Sequence, residues 1–361
     1  MTGGYDEPQL WLTRLVERHR NRLGGPRKAA TLLFGGPVVA ALTIYLAVRW
    51  NAIPVGFLYS VASLAVVGCV APSLVWYYDR ELYPAFLREF AELTDESAMR
   101  RIGRRHRETL ARRWPVAAAL AVLPIPVLVT VGGSYLRTRG LFGPTDPVFL
   151  LVAATLVWLG VLVGLGFLLV AVTLSTVRHV VREEIAIDPL HPDGLGGVSA
   201  VGRLSIRTTT LFSVGALLLP TLFDFAAGVG PTATAVVYLM TAAYTVAIVV
   251  SFVYPTVVVY RRADEIRATV LDDLREQYRT VKREAGEPVV GADTERTDAA
   301  AEAKLRRVRR EYEDYRTVSL YPFEPTVIAR LVGSVLLPLV FLVVDTVLRP
   351  ATVGRIVAWL T

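Results

Sequence analysis

Four side chains could assemble into a site with metal or acid–base chemistry: His179, Glu183, His191 and Asp193. Imidazole and carboxylate donors of this kind suit Zn²⁺ or Fe²⁺. His179 and Glu183 are four residues apart, so they share one face if the helix of the fourth apolar segment continues through them, and His191 and Asp193 can fold back towards them. The plain alternative is a turn, because Asp193 before Gly194 is ordinary cap and turn chemistry. The glycines of GLGG, residues 194–197, do not make a phosphate loop, since no lysine follows and no strand precedes them. The single cysteine, Cys69, excludes an intrachain disulfide and any CxxC or Cys₄ site. No motif for a cofactor is complete. Two acids, Asp224 and Asp345, fall near the ends of apolar segments, where an ionisable group either snorkels to the interface or marks an ion path.

The loop that carries three of these groups runs from Arg182 to Thr210 and is the one polar, glycine-rich interruption between two long apolar halves. Pro189, Pro192, Gly194, Gly196 and Gly197 lie close together there and force a turn or irregular loop. His191-Pro192-Asp193 resembles the HPD loop of J-domain cochaperones in three residues, but a membrane segment and Pro189 precede it where that family has a basic soluble helix. The longer text PLHPDGLGG resembles a motif of uncharacterised multi-span membrane proteins of halophilic archaea or other high-GC prokaryotes, and that resemblance implies no activity. The 36 arginines against three lysines point to the same source, although the charged segments are not as acidic as halophile surfaces usually are.

Of the 361 residues, 53% are hydrophobic and the mean hydropathy is +0.46, more than a soluble domain of this size needs for its core. The expected fold class is therefore an all-α integral membrane protein. Seven apolar runs have the ~20 residues that cross a bilayer: Ala29–Val48, Pro54–Tyr77, Pro115–Tyr135, Val148–Thr176, Leu211–Val229, Thr232–Val259 and Thr326–Val347. The first 28 residues lack an apolar core, so no cleavable signal peptide is expected and the first run should remain as an anchor. Segments 1–28, 79–114, 177–210 and 261–325 carry 33 of the 39 basic residues, which predicts that they are cytoplasmic and that the short C-terminus after the last run, in 326–361, lies outside a plasma membrane. The paired runs in 29–78, 115–176 and 211–260 would then form the bundle. Pro37 and Pro72 are spaced like Pro220 and Pro255, compatible with a 3+1+3 layout of parallel repeats. Sugar-transporting 3+1+3 proteins resemble the chain at those four positions, though with the opposite orientation.

The polar segments read as helices. Thr94 with Asp95 and Glu96 is a plausible start for a helix through Met99, Ile102 and His106 to Leu110. Within 261–325, Ile266, Val270, Leu274, Tyr278 and Val281 share one face, as do Ala301, Leu305, Val308, Tyr312 and Tyr315, which predicts an antiparallel hairpin of coiled-coil type. At the N-terminus, Leu12, Leu15, Val16, His19 and Leu23 oppose a row of arginines, as in a helix lying on an anionic membrane.

Three functions fit this text. The first is a membrane-embedded scaffold or signalling module acting through cytoplasmic helices, with the lipid bilayer and a cytoplasmic protein, or a second copy joined through 261–325, as partners. The second is a channel or facilitator for ions or small neutral solutes, for which the absence of a charged residue near the middle of any run argues against proton-coupled antiport. The third is an enzyme, which would have to use His179, Glu183, His191 and Asp193. Nucleic acid is not an expected partner.

Overall fold

The computed structural model describes residues 10–91, 94, 96–183, 199–286 and 294–317. The chain is an all-α membrane protein: six helices are long and apolar enough to cross a bilayer, Pro26–Ala52, Phe57–Phe90, Ser97–Val131, Pro147–Val180, Ser199–Val229 and Pro231–Arg283. The seventh expected span, Thr326–Val347, lies outside the described residues, as does Asp345.

In chain order the helices are α1 (Trp11–His19), α2 (Pro26–Ala30), α3 (Gly36–Arg49), α4 (Phe57–Tyr77), α5 (Tyr83–Phe90), α6 (Glu96–Val122), α7 (Pro124–Val131), α8 (Gly133–Arg137), α9 (Pro147–Val180), α10 (Ser199–Ser213), α11 (Leu219–Val229), α12 (Pro231–Gly286) and α13 (Thr294–Thr317). A π-helical turn, Thr31–Gly35, joins α2 to α3, a second, Tyr78–Leu82, joins α4 to α5, and a 3₁₀ turn, Val214–Leu218, joins α10 to α11. Gly230, at φ 124°, makes the sharp turn into Pro231, a conformation that a side chain strains.

The bundle is organised around α9, whose most extensive contact is with α6. The two backbones approach very closely at Gly164, where an added Cβ would lie 2.5 Å from the Ala117 carbonyl oxygen and 2.9 Å from the Ala118 Cα. Small residues that let helices touch backbone to backbone are the usual means of association where lipid removes the hydrophobic drive between helices. Leu120, Leu123 and Leu239 are each about two-thirds exposed, the expected state for side chains that face hydrocarbon.

Three boundaries differ from the sequence expectation. The polar segment 96–114 is no separate loop helix, because α6 runs through Pro115 to Val122 as one helix. The helix of the second span does not end at Tyr77 but continues through the π turn to Phe90. The N-terminal helix is not only a surface element: Leu12, Thr13 and Val16 are fully buried, and Trp11 packs among Phe34, Trp114 and Trp158 with ring centroids 5.8, 5.9 and 6.1 Å away. Glu17 on its polar side accepts from Trp76 Nε1 at 2.9 Å and pairs with Arg80 at 3.5 Å, which holds α1 against α4 and the turn after it.

α12 continues without a break from the membrane to Gly286, and α13 packs back along its end. Leu274 and Val281 of α12 and Val308 of α13 are buried, and Arg275 donates to the Tyr312 hydroxyl at 2.9 Å while its guanidinium lies over that ring at 5.5 Å. Val308→Asp would put a carboxylate into this seam at a cost of about 2 kcal/mol or more. Limited proteolysis of the purified protein should then cut α13 about 30-fold faster than in wild type, by mass action on the opened form. An unchanged rate would mean that the seam is not what protects α13.

Candidate functional site

The strongest concentration of buried polar chemistry lies at the arginine-rich end of the bundle, where α4, α5, α6 and α9 meet. An α-helix turns a residue five places on by about 140° from the first, so Tyr78 and Tyr83 would point apart in a regular helix. The wider π turn between them brings both rings to one side, with centroids 6.1 Å apart and planes at 24°. His106 of α6 inserts against this pair, 3.5 Å from the Tyr83 ring at 16° and 6.1 Å from Tyr78. All three rings are buried.

Two threonines of α9 complete the cluster. Thr173 donates to the Leu169 carbonyl at 2.8 Å, so the Tyr78 hydroxyl is the donor in its 2.7 Å bond to Thr173 Oγ1. His106 Nδ1 lies 3.2 Å from Thr176 Oγ1, while Nε2 is buried with no hydrogen-bond partner among the described residues. Asp79, buried in the same turn, accepts from the Leu10 amide at 3.2 Å and so fixes the entry to α1. A buried imidazole nitrogen without a partner in the protein is uncommon and is ordinarily satisfied by a water. The sequence reading missed this cluster: it took Asp79 as the first residue of a loop and used His106 only as a marker of helical period. The readable signal was the pair of tyrosines five apart flanking an acid, YDRELY.

The opposite end carries an ionic girdle. Arg49 pairs with Asp146 at 2.9 Å and lies over the Phe142 ring at 4.8 Å. Asp146 also caps α9 by accepting from the Val148 amide at 3.0 Å. Asp224 accepts from the Tyr135 hydroxyl and lies 3.9 Å from Arg139, whose guanidinium covers the Tyr135 ring at 4.0 Å. Asp224 is exposed and held at the end of the bundle, by Arg139 rather than by Arg49. Burial acts to raise the Asp146 carboxyl, but the Val148 amide, Arg49 and the Phe142 amide outweigh it and hold the group below its ordinary range. A carboxyl lowered in the folded state contributes stability above its unfolded pKa of ~4 and loses that contribution as pH falls through the lower folded value. Acidification below pH ~4 should therefore loosen this corner, and Asp146→Asn should flatten that acid limb of the thermal unfolding midpoint measured in detergent. An identical acid limb in wild type and variant would remove Asp146 from the balance.

Between the two ends, α4, α9, α10 and α12 enclose a narrow cavity of about 70 Å³ lined by Val67, Leu74, Gly166, Thr208, Gly215 and Tyr244. The 3₁₀ turn sits beside it, just before Pro220, which cannot donate to the Ala216 carbonyl. Tyr244 donates to the Phe212 carbonyl at 2.7 Å, satisfying a backbone group that hydrocarbon could not. Thr208 Oγ1 is buried without a hydrogen-bond partner among the described residues, and its neighbour Thr209 meets Ser251 of α12 at 2.8 Å.

Of the residues singled out from sequence, only His179, Glu183 and Asp224 are among those described. His179 bonds through Nδ1 to the Ser175 carbonyl at 2.6 Å, α9 ends at Val180, and Glu183 faces Arg101 at 3.7 Å. His191, Pro192, Asp193, Gly194, Gly196 and Gly197 lie outside the described residues. Among the described residues no three His, Cys, Asp or Glu side chains are grouped as a metal would require. Compared with protein-family models, curated proteins and solved structures, the chain matches none.

Proposed function

We propose that the protein is a membrane-embedded scaffold or signalling module of the plasma membrane, with its N-terminus and arginine-rich end in the cytoplasm and the α12–α13 hairpin as its working surface. The observation that carries this reading is the continuity of α12: one helix of 56 residues lies in the bundle and in the hairpin at once, so the two cannot move independently. The charge distribution supports the orientation. On a Cys69→Ala background, a cysteine at Thr145 should react with a membrane-impermeant thiol reagent in intact cells, and one at Arg279 only after lysis. The reverse pattern would invert the orientation.

The function itself is tested by deleting 262–317 and measuring both association and flux. Loss of self-association or of a copurifying cytoplasmic protein, with insertion intact and vesicles no leakier than empty ones, supports the module. A second reading, a channel or facilitator, draws on the interrupted fifth span and the polar groups beside its cavity. Solute flux through reconstituted vesicles that survives the deletion would favour it and overturn the first reading.

A further inference from the structure

The arginine-rich end holds a groove that neither the buried cluster nor the hairpin uses. It is an open depression of about 610 Å³ between α6, α9 and α12, lined by Arg105, Arg178, His179 and Arg182 and by Leu174, Val250 and Tyr254. We propose that it binds the phosphate-bearing headgroup of an anionic phospholipid, whose acyl chain runs down the exposed face of α12.

Charge is the first ground. Arg105 of α6, Arg178 of α9 and Arg182 just past the end of α9 are exposed, and among the described residues none of their guanidinium groups has a carboxylate partner. Neighbouring arginines do: Arg80 pairs with Glu17, Arg101 with Glu183 and Arg203 with Glu89. Glu183 follows Arg182 in sequence yet turns to Arg101, so the acid nearest in the chain does not neutralise the groove. His179 spends Nδ1 on the Ser175 carbonyl, which leaves Nε2 as the nitrogen available to a ligand. Guanidinium forks match phosphate oxygens in geometry as well as in charge.

The apolar half is the second ground. Leu239, Val246 and Val250, at spacings of seven and four, share one face of α12, and all three are exposed. From Val250 at the groove this track leads through Val246 and Leu239 into the span, as an acyl chain attached to a bound headgroup must. A free phosphate would use only the arginines, whereas a lipid uses both halves.

The test uses the full-length protein purified in mild detergent and titrated with phosphatidylglycerol, phosphatidylcholine or inorganic phosphate, with bound lipid counted by native mass spectrometry. Wild type should retain phosphatidylglycerol in preference to phosphatidylcholine, and millimolar inorganic phosphate should not displace it. Arg105→Gln/Arg178→Gln/Arg182→Gln should weaken phosphatidylglycerol roughly 100-fold, and Arg178→Gln alone about fivefold. Should the triple variant not fold, the single one decides. The hairpin variant Arg279→Gln/Lys282→Gln/Arg310→Gln should bind as wild type does. Equal retention by the groove variants and wild type, no preference in wild type, or displacement by inorganic phosphate would each overturn the proposal.

Discussion

Gly164→Leu is expected to disassemble the membrane bundle while leaving its insertion unaffected. The substitution adds apolar volume, so the fourth span stays as hydrophobic as before. The four new carbons must occupy space that the Ala117 carbonyl and the Ala118 Cα already fill, at 2.5 and 2.9 Å from the first of them. Backbone atoms cannot step aside as a side-chain tip can, so α6 and α9 have to separate along their largest contact. Overpacking a tight interior usually costs 1–3 kcal/mol, and a clash with the backbone of α6 places this change at about 3 kcal/mol or above. Gly164→Ala should fall lower, because the same contact is offset by the gain of about 1 kcal/mol from replacing a helical glycine. Unfolding in mixed micelles, followed by tryptophan fluorescence, measures both. A Leu variant with the wild-type midpoint would mean that α6 and α9 do not approach as described.

The second large effect is expected at His106. Truncation to alanine empties the space between two tyrosine rings and a threonine pair in a fully buried site, and removal of a large ring from such a site costs about 3 kcal/mol. His106→Phe separates the causes. It restores a ring against Tyr83 and eliminates the unpartnered Nε2, losing only the bond to Thr176, so its stability should lie within about 1 kcal/mol of wild type. If Phe is as damaging as Ala in the same unfolding assay, the nitrogen atoms and not the stack hold the cluster together. The two variants also bear on function: a Phe variant that is stable but inactive in partner binding or flux would assign Nε2 a working role.

Much of the layout is legible in the sequence because the bilayer imposes one solution on any long apolar run. The first six expected spans all have a helix of the fold, and the tight turn at Gly230-Pro231 is where the pair of helix breakers puts it. What periodicity could not reveal is where a helix departs from 3.6 residues per turn. The π turn at Tyr78–Leu82 reverses the side that Tyr83 faces, and so the buried site at this end follows from a local change of pitch that no apolar pattern records. Pro115 misled in the other direction, since a proline that reads as a helix start lies inside α6. The set of His179, Glu183, His191 and Asp193 assumes a helix running past Glu183, whereas α9 stops at Val180 and Glu183 pairs with Arg101; His191 and Asp193 lie outside the described residues. The groove arginines were visible only as part of a charge count, because their convergence depends on helices distant in the chain.

The unbroken α12 makes the hairpin the long arm of a lever. From Arg261 to Gly286 the helix extends ~39 Å beyond the last apolar turn, so a tilt of about 10° at the membrane sweeps its tip through about 7 Å. Displacements within the bundle too small to alter its own packing are in this way converted into movements as large as a helix radius at the far end, where a binding surface can register them.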